Sequence, residues 1–319
     1  MSAKGLSSRA IIGRYFMRLE QAPGLEWIGL ISNYFTSDQE SETYRWLGQV
    51  PQLREWIGGR QAKGFTENGI TIENKHFEAT LEILVREMRR DKTEQVMVRI
   101  DELADRTNAH WAKLLSFLIE NGGSTVAYDG SFFFDTDHQE GKSGVQSNDI
   151  TVDLSTVPVP TDQKGTPDNP SPEVMQFAMF AAIEAMYGFK DNEGEPLNEN
   201  ASDFLVMVPI KLWKSAQSAA RAPVLSLGQT ALARVMDAVN FAVVPNPRLS
   251  WTTQFAVFRT DGAIKSLIRQ EEEPVQLKAI AEGSELEFRE DKHHYGVDTW
   301  RNVGYGFWQR ACRVNLTAT

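Results

Sequence analysis

EQVMVRIDELADRTNAHWAKLLSFLIEN, residues Glu94–Asn121, decides how the rest of the chain is read. Ile100, Leu103, Ala104, Trp111, Leu114, Leu115 and Leu118 recur at steps of three, four and seven, which places them on one side of a helix with a period near 3.6. Asp101, Glu102, Asp105, Arg106 and Asn108 fill the other side of its first half. The second half is apolar almost all round, so that end is expected to be the more deeply buried. Gly122 and Gly123 are expected to stop the helix by taking the left-handed conformation of a C-terminus.

Outward from this helix the chain changes character several times. On its N-terminal side, Arg9–Leu19 reads as a short amphipathic helix through Ile11, Ile12, Tyr15, Phe16 and Leu19. An aromatic stretch with Trp27, Tyr34, Phe35, Tyr44 and Trp46 follows, whose rings need a surface on this chain's core or on a neighbouring subunit. Between Ile70 and Val85 apolar residues fall mostly at every second position, the pattern of strands with one covered face, and Gly58, Gly59, Gly64 and Gly69 supply turns. This is an extended glycine-rich hairpin, marginal alone, that must lie on something else. Arg86, Arg89, Arg90 and Lys92 then read as a solvated turn into the helix.

On the C-terminal side, Ile150–Leu154 is strand-like, and residues 157–172 hold five of the 13 prolines, a stiff connector. Ser171-Pro172-Glu173 supplies an N-cap, a first-turn proline and an early acid for a second helix, Val174–Tyr187. From Phe204 onward, strands (Phe204–Val208, Phe241–Val244, Phe255–Phe258) alternate with helices (Ile210–Ala220, Gly228–Ala238), as in a small α/β unit. The tail from Lys292 to Val314 is aromatic and strand-like.

Composition narrows the class. With 319 residues, 41% hydrophobic and 24% charged, the chain can bury a sizeable core. No run of 18 apolar residues could span a bilayer, and the start lacks the apolar segment of a secretory signal, so synthesis in the cytosol is expected. Cys312 is the single cysteine, which excludes an intrachain disulfide. A net charge of -10 argues against a general nucleic-acid binder, whose affinity rests on clustered lysine and arginine.

Motifs for chemistry fail one by one. Gly141-Lys142-Ser143 ends like a phosphate loop, but Thr136 stands where the first glycine is required. Asp135-Thr-Asp137 begins like a calcium loop, but Glu140 and Gln146 occupy the positions of the turn glycine and the bidentate acid. That leaves room for a loosely held cation at most. His76, His110, His138, His293 and His294 make no i, i+4 zinc pair. No catalytic, cofactor-binding or metal-ligating residue is expected.

Three stretches carry a resemblance: Tyr44–Ile57 (YRWLGQVPQLREWI), Tyr128–His138 (YDGSFFFDTDH) and Tyr295–Trp308 (YGVDTWRNVGYGFW). In order and spacing they resemble the Mu-type major head subunit family of tailed phages. The resemblance implies an α+β fold of the Hong Kong 97-type. Its parts would be an N-terminal arm (1–53), an extended β-hairpin loop (54–85), a peripheral domain (86–203) with a long spine helix (94–121), an axial α/β domain (204–252) and a return to the peripheral domain (253–319). It further implies a structural major capsid protein, not an enzyme, that self-assembles into hexamers and pentamers of an icosahedral virion head formed in the host cytoplasm. Packaged double-stranded DNA would lie inside without sequence-specific binding. Portal, scaffold or protease, and decoration proteins are the implied partners; no membrane is involved. Inter-subunit contacts are expected at Tyr44, Trp46, Arg54, Trp56, Arg60, Lys63 and Phe65. Two other classes stay open: an encapsulin-like nanocompartment shell, which would hold cargo instead of a genome, and a soluble α/β enzyme with a site near Asp135, Asp137 and His138.

Overall fold

The computed structural model describes residues 7–21, 25–45, 69–90, 94–221 and 239–318. In chain order the helices are α1 (Ser8–Glu20), α2 (Trp27–Ile31), α3 (Val85–Arg90), α4 (Gln95–Glu120), α5 (Pro172–Gly188), α6 (Ile210–Arg221) and α7 (Glu285–Glu290). The strands are β1 (Ser32–Thr36), β2 (Ser41–Tyr44), β3 (Ile70–Glu73), β4 (Lys75–Leu84), β5 (Asp149–Asp153), β6 (Gly165–Thr166), β7 (Asn169–Pro170), β8 (Asp203–Val208), β9 (Asn240–Pro245), β10 (Gln254–Arg259), β11 (Leu267–Ile280), β12 (Lys292–Tyr305) and β13 (Ala311–Thr317).

Helix α4 is the expected long helix, but its buried stripe is rotated from the leucine face. Val96, Ile100, Ala104, Ala112, Leu115, Ser116 and Ile119 are buried, whereas Leu103, Trp111, Leu114 and Leu118 are partly buried at the flanks. The small residues Ala104, Ala112 and Ser116 let other elements approach the backbone, and the larger ones close the sides. Phe117, in the apolar second half, is 65% exposed. The stop is also different in kind. Neither Gly122 nor Gly123 has positive φ among the described residues. A Cβ on Gly122 would lie 2.5 Å from the Phe134 ring, and one on Gly123 would lie 2.7 Å from the Arg313 guanidinium. Glycine is needed here for close approach, not for a left-handed cap.

Two hydrophobic clusters flank α4. Its first half joins Ile11 and Tyr15 of α1, Ile83 of β4, and Tyr295 and Val297 of β12. Its second half enters the larger cluster with α5, α6 and the strands behind them.

A four-stranded sheet runs in the order β1-β11-β12-β4. Strands β11 and β12 form a long antiparallel ribbon from Leu267↔Tyr305 to Ile280↔His294, and β4 lines the other side of β12 over Leu84↔Lys292 to Lys75↔Arg301. Parallel β1 covers only Leu267–Glu271 of β11, so the outer half of the ribbon is narrow. A five-stranded sheet has the order β5-β13-β10-β8-β9. Strands β8 and β9 are parallel neighbours joined by a crossover that contains α6, the first of the two helices expected there; the second, Gly228–Ala238, lies outside the described residues. The expected boundaries at 204 and 252 do not separate two sheets, however. Val206 of β8 pairs with Val257 of β10, and Val257 with Cys312 of β13, because buried strand edges are satisfied by whichever segment brings a matching apolar run. The proline-rich connector packs on the core through Val157 and Val159. The solvated turn expected over Arg86–Lys92 is, as far as Arg90, the short helix α3, anchored by buried Val85 and Met88; Lys92 lies outside the described residues.

Candidate assembly surface

Helix α1 starts at Ser7, whose side chain caps Ala10 N, and docks on α4. Arg14 reaches Asp101 with two hydrogen bonds of 2.7 and 2.5 Å, and Arg18 reaches Asp105 with two of 2.7 and 2.8 Å. The bond from Arg14 holds the Asp101 carboxyl below its usual range. Asp101, Asp105 and Asn108 therefore face another helix, where the sequence pattern suggested water. Exposed pairs of this kind contribute little, because solvent screens the charges and two long side chains must be held in one geometry. Fully buried Ile11 and Tyr15, at about 1.5–3 kcal/mol each, carry the docking. The first described segment is thus laid on this chain's own helix α4.

The expected contact residues divide sharply. Tyr44 is buried inside the chain at 8% exposure, and its hydroxyl donates to Gln270 Oε1 at 2.7 Å, which leaves little ring for a neighbour. Trp46, Arg54, Trp56, Arg60, Lys63 and Phe65 lie outside the described residues.

The Asp135–His138 run is a structural knot. Asp135 accepts from Phe132 N at 3.0 Å and Thr136 N at 2.8 Å, and these backbone donors lower its pKa against the opposing effect of burial. Asp137 is exposed beside it. His138 has 0% exposure, stacks on Trp308 at 3.9 Å, and sets Nδ1 2.6 Å from Asp129 Oδ2 and Nε2 3.1 Å from Asn148 Oδ1. No substrate can reach a ring enclosed on both faces. Beside it, Tyr128 donates to Glu140 Oε1 at 2.5 Å and accepts from Gln309 Nε2 at 2.8 Å, while burial raises the Glu140 carboxyl. The loop is thereby tied to the turn at Trp308–Arg310.

A second polar centre lies between α4 and β12. Arg301 is 2% exposed; its Nε donates to His110 Nδ1 at 3.1 Å, its Nη2 donates to Thr107 O at 3.2 Å, and its guanidinium lies 4.6 Å from the Trp111 ring. Glu271 stands 3.9 Å away. Burial lowers Arg301 to about 10, and burial together with the Arg301 charge pushes His110 down to about 4. Arg269 adds a second guanidinium between Tyr34 and Trp111. Sequence reasoning passed over Arg301, although β12 alternates strictly from His293 to Val303 and places Arg301 on the inward face. A charge at an apolar register position was the available signal.

Next to this centre a groove of about 260 Å³ opens between α4 and the face of β4 and β12. At the far end of the ribbon, the short helix Glu285–Glu290 holds Phe288 at 91% exposure. Among the described residues no group of acids, histidines and cysteines has metal-binding geometry, and no helix is long and apolar enough to cross a membrane.

The model of the family described as Mu-like prophage major head subunit gpT matches residues 16–157 and 234–319, well over half of the chain. The chain belongs to this family. Over 122 residues the chain is 34% identical to the Mu-like prophage FluMu major head subunit of Haemophilus influenzae, covering 38% of this chain and 40% of that one. Over 121 residues it is 32% identical to the major capsid protein of Escherichia phage Mu, covering 38% and 39%. The matched part therefore spans about two fifths of each of these relatives. Among solved structures, a chain of the procapsid of bacteriophage JBD30 superposes with a TM-score of 0.54 at 21% identity, over 97% of this chain and 76% of that one. The fold is the α+β phage capsid fold that the three stretches implied.

Proposed function

We propose that this Mu-like head subunit is the major capsid protein of a tailed-phage head, a structural subunit with no catalytic role. The observation that carries the reading is the family match on both sides of residues 158–233, supported by a capsid-like fold along nearly the whole chain. Many copies, arranged in hexamers and pentamers, would close an icosahedral shell around double-stranded DNA, with portal, scaffold or protease, and decoration proteins joining. A net charge of -10 suits a wall that confines phosphate without gripping it. In this reading residues 1–53 are the arm, with Trp46 as a contact, 54–85 the extended loop that supplies inter-subunit contacts at Arg54, Trp56, Arg60, Lys63 and Phe65, and α4 the spine. The ribbon and β4 form the peripheral layer. The axial unit is drawn wider than 204–252 so that it takes in the five-stranded sheet. Expression of the chain followed by negative-stain electron microscopy tests the proposal: capsomers or closed particles are expected, and a chain that stays monomeric at every concentration overturns it.

A further inference from the structure

Phe288 sits on a solvent-facing helical turn among Glu285, Glu287 and Glu290, 91% exposed. The groove beside α4 has the opposite character. Phe77, Ala79, Leu103 and Val297 give it an apolar lining, and Arg106 and Lys113 stand along its helical side. Glu78 is the one carboxylate among its lining residues, and buried Arg301 adds a third cation behind them.

We propose that Phe288 of one copy docks in this groove of a second copy, its flanking carboxylates meeting Arg106 and Lys113. The volume suits the guest, since a cavity of roughly 150 Å³ already takes a benzene ring and the groove offers about 260 Å³. The charges are complementary in net sign: on the knob Glu285, Glu287 and Glu290 outnumber Arg289, which pairs with Glu285, and along the groove Arg106, which pairs with Glu102, Lys113 and Arg301 outnumber Glu78. The knob cannot fill its own groove. Leu84 pairs with Lys292 near the tip and Ala79 with Val297 at the groove, so the two lie roughly 17 Å or more apart at ~3.4 Å per residue. Knob and groove occupy different places on one molecule, so the contact is head-to-tail and repeats from copy to copy, as a closed shell requires.

The inference rests on the self-assembly reading above, and the test separates the two. The full chain carrying Ala79→Cys with Arg289→Cys, both exposed positions that leave Phe288 in place, is oxidised mildly and run on a non-reducing gel, with each single variant as control. Cys312 is fully buried with its thiol pushed up, and stays silent. A ladder of linked multimers is expected only in the double variant. Phe288→Asp should keep the wild-type circular dichroism yet weaken association at least tenfold in sedimentation velocity. Normal particles with no ladder, or Phe288→Asp assembling like wild type, overturn this contact and leave the shell reading standing. A wild-type chain that never associates removes both.

Discussion

Arg301 Nε donates to His110 Nδ1 at 3.1 Å, so strand β12 of the four-stranded sheet and the middle of helix α4 are joined by a buried cation that requires a neutral imidazole. The acceptor lone pair on Nδ1 exists only while that nitrogen carries no proton.

This bond sets a pH dependence. His110 has a folded-state pKa near 4, below its ordinary 6.5, so the unfolded chain binds the proton more readily. The contribution is fully present above pH 6.5 and is lost as pH falls toward 4. Because the ring is only half-buried, solvent screening leaves roughly 1–2 kcal/mol of the effect. Chemical denaturation of the subunit at a series of pH values should show this slope, and His110→Gln, which keeps an acceptor, should flatten it.

Removing the cation is more severe. Arg301→Ala leaves Thr107 O, His110 Nδ1 and Glu271 facing an empty site, and about 3 kcal/mol of stability should be lost. Thermal unfolding of the purified subunit measures it; an unchanged midpoint would mean that water replaces the guanidinium without cost.

The knot around His138 should behave as structure. His138→Leu strands the buried Asp129 carboxylate and should cost about 3–5 kcal/mol. Asp137→Asn, on an exposed side chain, should stay within about 0.5 kcal/mol of wild type. Equal effects from the two substitutions in a denaturant titration would contradict the assigned roles.

Two glycines should respond in opposite directions. Gly122→Ala presses a methyl group into the Phe134 ring and should destabilise by about 1–3 kcal/mol. Gly13 lies inside α1 with nothing within 4 Å of a Cβ, and Gly13→Ala should stabilise by about 0.5–1 kcal/mol. Melting temperatures of the pair, taken side by side, decide the matter.

Local pattern was enough for much of this molecule. The 3.6-residue period placed α4, the Ser171-Pro172-Glu173 run placed the start of α5, and β4, β8, β9 and β10 fell where apolar residues alternate or run together. These elements carry their own signal, because burying one face imposes a spacing on nearby residues. Strand β11 carries a weaker one. The outer half, Glu271-Glu-Glu-Pro-Val-Gln-Leu-Lys278, offers only the half-buried Val275 and Leu277 on one face and polar residues on the other, so its strand state comes from pairing with β12.

Three stretches of sequence, Tyr44–Ile57, Tyr128–His138 and Tyr295–Trp308, were sufficient by themselves to assign the family, since each is long and particular. Only the tertiary structure decided what their residues do. Tyr44 looked like a contact for a neighbour and is core, and His138 looked like a remnant of a site and is a stacked, enclosed anchor. Arg301 drew no notice and joins helix to sheet. Residue type and spacing determine which groups are available, whereas burial, partners and the direction of a side chain are set by segments more than a hundred residues away, as Trp308 is from His138 and Arg301 from His110.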